Sequence, residues 1–348
     1  MNSTESSSIV SLFKTKARLS WVDYAKGIGI FLVVVGHILR GLINSSILEP
    51  SGLLSFVDNW IYAFHMPLFF FISGLFIQRS LNKPFGDFFI GKLCTIAYPY
   101  FLWSLIQGIF QAIGSRYANN NFSILNIWKI IYEPLLQFWF LYTLFAIVII
   151  YAIFYHLKLK PFFFFIFAVI LYICQVFNID FGSWGILYLF RNHAIYFALG
   201  AVISVIDLTS FLMKIRPLIS IYFSLFGYTI VGWVAYFQVT QNIVAIPLIA
   251  VIGICASVLL ASVLDKLNVL KFLHTWGKLS LGIFVAHTLA ASVFRIILQH
   301  FFNFVEPITH LVLGTIIGIY IPILIDLTCS KLSFESVFTL KLVNGKTN

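Results

Sequence analysis

Charge is what this chain has least of. Charged side chains make up 10% of 348 residues, only 12 of them acidic, while 61% are hydrophobic and the mean hydropathy is +0.99. So few polar groups cannot cover a water-facing surface, which excludes a soluble domain and leaves an integral membrane protein. Cysteine is also scarce. Cys94, Cys174, Cys255 and Cys329 stand far apart, each in or beside an apolar run, so neither a thiolate metal cage nor a disulfide framework is legible, and packing roles are expected. Residues 1–23 have too short an apolar core and no small-residue cleavage site for a signal peptide. No internal repeat, low-complexity linker or soluble domain is visible. The expected division is a cytoplasmic tail (1–23), one membrane domain (24–330) and a second cytoplasmic tail (331–348).

What is present is a series of long apolar runs. A helix needs roughly 20 apolar residues to cross a hydrocarbon core, because every backbone polar group must be satisfied within the segment. Ten runs qualify: about Ala25 to Ile43, Val57 to Ile77, Ile90 to Ile113, Pro134 to Tyr155, Pro161 to Val176, Leu187 to Ile206, Leu218 to Phe237, Ile243 to Leu264, Leu279 to Phe301 and Ile308 to Cys329. The predicted fold is all-α, a polytopic bundle of about ten transmembrane helices.

Starting the chain in the cytosol and alternating sides places Lys14, Lys16, Arg18, Lys26, Arg79, Lys83, Lys92, Lys158, Lys160, Lys214, Arg216, Lys266, Lys271, Lys278, Lys331, Lys341 and Lys346 inside. Only Arg40, Arg116, Lys129, Arg191 and Arg295 fall elsewhere. That asymmetry predicts cytosolic termini, since the Lys/Arg bias of short loops sets orientation. It also accounts for the net charge of +10 without nucleic acid, because the basic residues lie in short clusters between spans.

Ionisable residues inside spans are costly and become functional candidates. His37 lies 12 residues beyond Ala25, about 18 Å from the inner boundary at 1.5 Å per residue. His65 is 8 residues below Val57 at the outer boundary, which in a core of about 30 Å again leaves it near 18 Å. His287, 8 residues beyond Leu279, comes to roughly 12 Å. A histidine at that depth suits moving a proton or activating a hydroxyl, because its unperturbed pKa is near neutrality; the plain alternative is an interhelical hydrogen bond. Arg40, one turn after His37, would keep the imidazole neutral if it lies on the same side. Metal binding is not expected, since these spans carry no His/Asp/Glu pair at i, i+3 or i+4.

The stretches RLSWVDYAKGIGIFLVVVGH and FHMPLFFFISGLF resemble the opening of the integral-membrane acyltransferase-3 family, in particular its fucose 4-O-acetylase-like branch. FWFLYTLF (138–145) and WGKLSLGIFVAH (276–287) extend the resemblance through nearly the whole chain. It implies transfer of an acyl group, usually acetyl from cytosolic acetyl-CoA as co-substrate, to a hydroxyl of a carbohydrate acceptor. A bacterial cytoplasmic membrane is the implied location. By resemblance His37 is the catalytic histidine. Lys26, 11 positions earlier, is its cytosol-side companion, paired with Asp23 or serving as a positive-inside anchor. The family's Arg-x-x-Arg pair before the proline of the third span reads here as Lys92 and Thr95. Lysine meets a phosphate only as a point charge and threonine carries none, so Arg79 and Lys83 of the same inner loop join them as candidates for the CoA phosphates. Donors for the developing oxyanion are sought among His65, His287 and Ser73. An acceptor arriving from outside would pass Glu133, Trp139, Trp184, Arg191 and His193. The rival expectation is a proton-coupled secondary transporter using buried histidines, against which stands the lack of an internal repeat.

Overall fold

The computed structural model describes residues 19–114, 124–182, 184–239, 242–332, 334 and 337–340. Most of the two expected tails lies outside them, as do Lys14, Lys16, Arg18, Arg116, Lys341 and Lys346. The described residues are helical with no strand, in chain order α1 (Ser20–Asn44), α2 (Gly52–Tyr62), α3 (His65–Leu75), α4 (Ile77–Leu81), α5 (Phe85–Lys92), α6 (Tyr98–Ile113), α7 (Trp139–His156), α8 (Pro161–Val176), α9 (Gly185–Ile203), α10 (Leu208–Lys214), α11 (Pro217–Tyr236), α12 (Ile246–Leu267), α13 (Lys271–Lys278), α14 (Ser280–Ile296) and α15 (Pro307–Lys331).

Among these residues eight helices are long and apolar enough to cross a membrane, and they cover eight of the ten expected spans. The other two spans are helical as well. One is α8, an apolar helix of 16 residues. The other, the expected second span, is broken into α2 and α3 at Ala63 and Phe64. Pro67 explains the break: its ring clashes with the carbonyl four residues back, that of Ala63, and it donates no hydrogen bond. Pro99 stands in the same relation to Thr95, and there the third span widens into a π turn over Leu93–Ala97.

Helix α1 is the hub, packed against α2, α3, α12, α13, α14 and α15. Its Ala25, Ile30, Val33 and Val34 are fully buried. Two glycine crossings set the helix positions. A Cβ on Gly27 would overlap the Leu273 carbonyl of α13, and one on Gly277 would overlap the Asp23 carbonyl of α1. Each glycine thus faces the carbonyl four residues before the other. Gly74 of α3 and Gly200 of α9 make a similar crossing, each facing the carbonyl three residues before the other, those of Phe197 and Phe71. Small residues that let backbones touch are how apolar helices gain packing where no water is displaced between them.

Candidate active site

Around His37 the helices leave a cavity of about 490 Å³. His37, Arg40, Gly41 and Asn44 reach it from α1 at the i, i+3, i+4, i+7 spacing of one helical face. Tyr62, His65 and Met66 reach it from the two sides of the α2–α3 break. Phe284, Thr288, Ser292 and Arg295 of α14 form another stripe, and Gln107, Gln137 and Trp139 close the wall.

The three histidines differ in what they can offer. His65 Nδ1 lies 2.7 Å from the Ile61 carbonyl, and His287 Nδ1 lies 2.8 Å from the Phe284 carbonyl. A carbonyl oxygen only accepts, so in the neutral rings both Nδ1 atoms carry the proton and both Nε2 atoms are lone-pair acceptors. Those Nε2 atoms are buried without a partner, in side chains fully withdrawn from solvent. His65 and His287 therefore cannot donate into the cavity as neutral imidazoles. His37 is half-buried and its ring makes no hydrogen bond among the described residues. Its centroid is 5.2 Å from that of His287 and 6.4 Å from the Tyr62 ring.

Arg40 shares the cavity wall with His37 and is tied down. Its Nε and Nη2 each donate to Asp58 at 2.7 Å, and its guanidinium lies 3.3 Å over the centre of the Tyr62 ring. Tyr62 meets His65 edge-on at 4.7 Å, and its hydroxyl is buried without a partner. Across the cavity, Gln137 Nε2 donates to Gln107 Oε1 at 2.8 Å and to Thr288 Oγ1 at 2.7 Å, while Thr288 Oγ1 donates to Gln107 Oε1 at 3.1 Å.

Of the residues singled out from the sequence, His37, Arg40, His65 and Trp139 line this cavity, with His287 beside His37. Trp139 also meets His193 with tilted rings, centroids 4.8 Å apart, and both line a second cavity of about 320 Å³ together with Arg40 and Tyr62. Ser73 does not reach the cavity, because its hydroxyl donates to the Phe69 carbonyl at 2.8 Å. Glu133 is exposed, Trp184 is 72% exposed, and Arg191 donates to the Ile179 carbonyl at 2.9 Å. Lys26 shares a helix face with His37 but lies about 16 Å away along the axis. Asp23, buried, faces His274 at 3.7 Å. Lys92 donates to Ser80 Oγ at 3.1 Å, Thr95 donates to the Gly91 carbonyl at 2.7 Å, Arg79 lies 4.6 Å over the Phe76 ring, and Lys83 is exposed. This basic set is a separate group, and the lining of the large cavity does not extend to it.

Reading for ionisable groups alone overlooks Tyr62, Gln107, Gln137 and Thr288. One available signal is Gln107 and Gln111, i and i+4 in an otherwise apolar helix and both on the cavity wall.

Comparison with known proteins follows the same outline. Residues 19–327 match the model of the Acyltransferase domain of the acyltransferase-3 family. Nodulation protein NolL of Mesorhizobium japonicum is 38% identical over 82 residues, 23% of this chain and 21% of that protein. Nodulation protein NolL of Sinorhizobium fredii is 30% identical over 130 residues, 36% of this chain and 33% of that protein. The matched stretches thus cover a fifth to a third of these curated relatives. No solved structure matches the chain. With the family model running from the first turn of α1 almost to the end of α15, this multi-pass, all-helical chain belongs to the acyltransferase-3 family.

Proposed function

We propose that the chain is a membrane O-acyltransferase. It moves an acetyl group from acetyl-CoA to a hydroxyl of a cell-envelope carbohydrate, such as a surface polysaccharide or lipid-linked sugar. The observation that carries this reading is His37: a half-buried imidazole on the wall of a large, mostly apolar cavity, its ring without a hydrogen bond among the described residues, in a chain of an acyltransferase family. A general base needs that availability at the atom it deprotonates.

In this mechanism neutral His37 takes the proton of the acceptor hydroxyl as its oxygen attacks the thioester carbonyl. The C–O bond forms, the C–S bond breaks, and the proton passes from His37 to the departing CoA sulfur. His287 lies against His37, ring centroids 5.2 Å apart and its Nε2 unpartnered, and is the neighbour that orients the imidazole during transfer. Charge on the carbonyl oxygen is met by the Tyr62 hydroxyl, a donor on this wall that is buried with no partner among the described residues. Neither Ser73 nor the neutral forms of His65 and His287 suit that task, because their protons are already given to backbone carbonyls.

The termini are assigned to the cytosol of a bacterium and the protein to its cytoplasmic membrane. The CoA phosphates then meet Lys92, Arg79, Lys83 and Lys26 at the inner ends of the helices, with Thr95 beside them. The distance of about 16 Å from Lys26 to His37 is one that the thin pantetheine arm can span. Purified protein in liposomes, supplied with acetyl-CoA and an envelope glycan fraction, is expected to release free CoA and acetylate the glycan together. Proton movement across the liposome membrane without CoA release would instead favour a transporter.

A further inference from the structure

Arg295, in the last turn of α14, is only 7% exposed. It lines the large cavity and also a smaller one of about 50 Å³ that it shares with His37, His287, Ser292 and His310. Among the described residues it forms no ion pair. Its hydrogen bond is Nη1 donating to the neutral Gln299 Oε1 at 3.1 Å. Two carboxylates of the described residues are already committed, Asp58 of α2 to Arg40 and Glu306 to the amides of Ile308 and Thr309. A guanidinium so withdrawn from solvent is costly unless an anion meets it, and its burial separates it from long cations that merely snorkel to a membrane surface.

We propose that Arg295 receives an acidic group, a carboxylate or phosphate, carried by the carbohydrate acceptor, and so holds a neighbouring hydroxyl against His37. This deepens the transfer reading given above and rests on it. The guanidinium has the planar fork that grips either anion through two hydrogen bonds, and Ser292 one turn before it adds a hydroxyl to the same wall. Arg295 and His37 border the same two cavities, so the acidic group and the reacting hydroxyl sit on one ligand at adjacent positions.

The test measures thermal unfolding of the purified protein in detergent with glucuronate, glucose 1-phosphate, inorganic phosphate, glucose and acetyl-CoA. It compares wild type with Arg295→Gln and Arg295→Lys. The acidic sugars are expected to raise the wild-type midpoint while glucose does not, with the effect lost in Arg295→Gln and weakened in Arg295→Lys. In the transfer assay, Arg295→Gln is expected to raise KM for a uronic-acid glycan by roughly 10- to 100-fold, the usual worth of a hydrogen bond to a charged group. KM for acetyl-CoA and for the carboxyl-reduced glycan should hold. Equal shifts in wild type and Arg295→Gln would overturn the proposal, as would inorganic phosphate matching the acidic sugars or a rise in KM for acetyl-CoA. Wild-type protein that binds the acidic sugars through Arg295 but releases no CoA would remove the transfer reading while leaving this anion site in place.

Discussion

Gly27 and Gly277 meet backbone to backbone, and ten residues beyond each stands a histidine, His37 and His287, the two that share the smaller cavity. From that common crossing both helices rise about 15 Å, which brings the two imidazoles level with centroids 5.2 Å apart. The one-residue break at Leu279 lies between the crossing and His287.

Gly277→Ala is therefore expected to disturb the site from a distance. Its new methyl group would overlap the Asp23 carbonyl, a backbone atom that cannot swing away. Overpacking of this kind costs about 1–3 kcal/mol. A lowered unfolding midpoint in detergent, together with reduced acetyl transfer, is the predicted result; wild-type behaviour in both would show that the crossing does not set the level of His287.

This crossing also explains what could be read from the sequence. Of the ten apolar runs, eight are helices long enough to cross a membrane and two, α8 and the α2–α3 pair, are shorter helices; counting residues from span ends puts His37 and His65 at one depth. The same counting left His287 about 6 Å shallower, because it took Leu279 as a membrane boundary. In the structure the rise of His287 is set by the contact of Gly277 with α1, a tertiary fact that hydropathy does not carry. Ser73 and Arg191 stood out as polar residues near motifs or span ends, yet each is used locally by a backbone carbonyl. Tyr62 carries no charge and belongs to no motif that marks it in the sequence; its place follows from the break that Pro67 imposes.

Tyr62→Phe removes the unpartnered hydroxyl and little else. If it meets the oxyanion, kcat should fall by roughly 100-fold with KM for both substrates little changed. Ser73→Ala, which removes a hydroxyl bonded to its own helix, should stay near wild type. The reverse ranking would move the oxyanion site to Ser73.

Glu306 provides a pH test outside the spans. Hydrogen bonds from the Thr309 hydroxyl and from the amides of Thr309 and Ile308 hold its carboxyl below the usual carboxylate range. A depressed folded pKa means the cap's ionic contribution is present above the unfolded value and lost as pH falls through the folded one. The difference in unfolding midpoint between wild type and Glu306→Ala should be full at neutral pH and narrow below about pH 4. A difference that does not vary with pH would show that the ionised cap does not stabilise α15.

The most direct measurement is acetyl transfer by His37→Ala and His37→Gln beside wild type, with each variant first shown to keep the wild-type unfolding midpoint. Transfer from acetyl-CoA to the glycan fraction is expected to vanish in both variants while acetyl-CoA binding persists. Folded His37→Ala protein that still acetylates at the wild-type rate would contradict the assignment of His37 as the base.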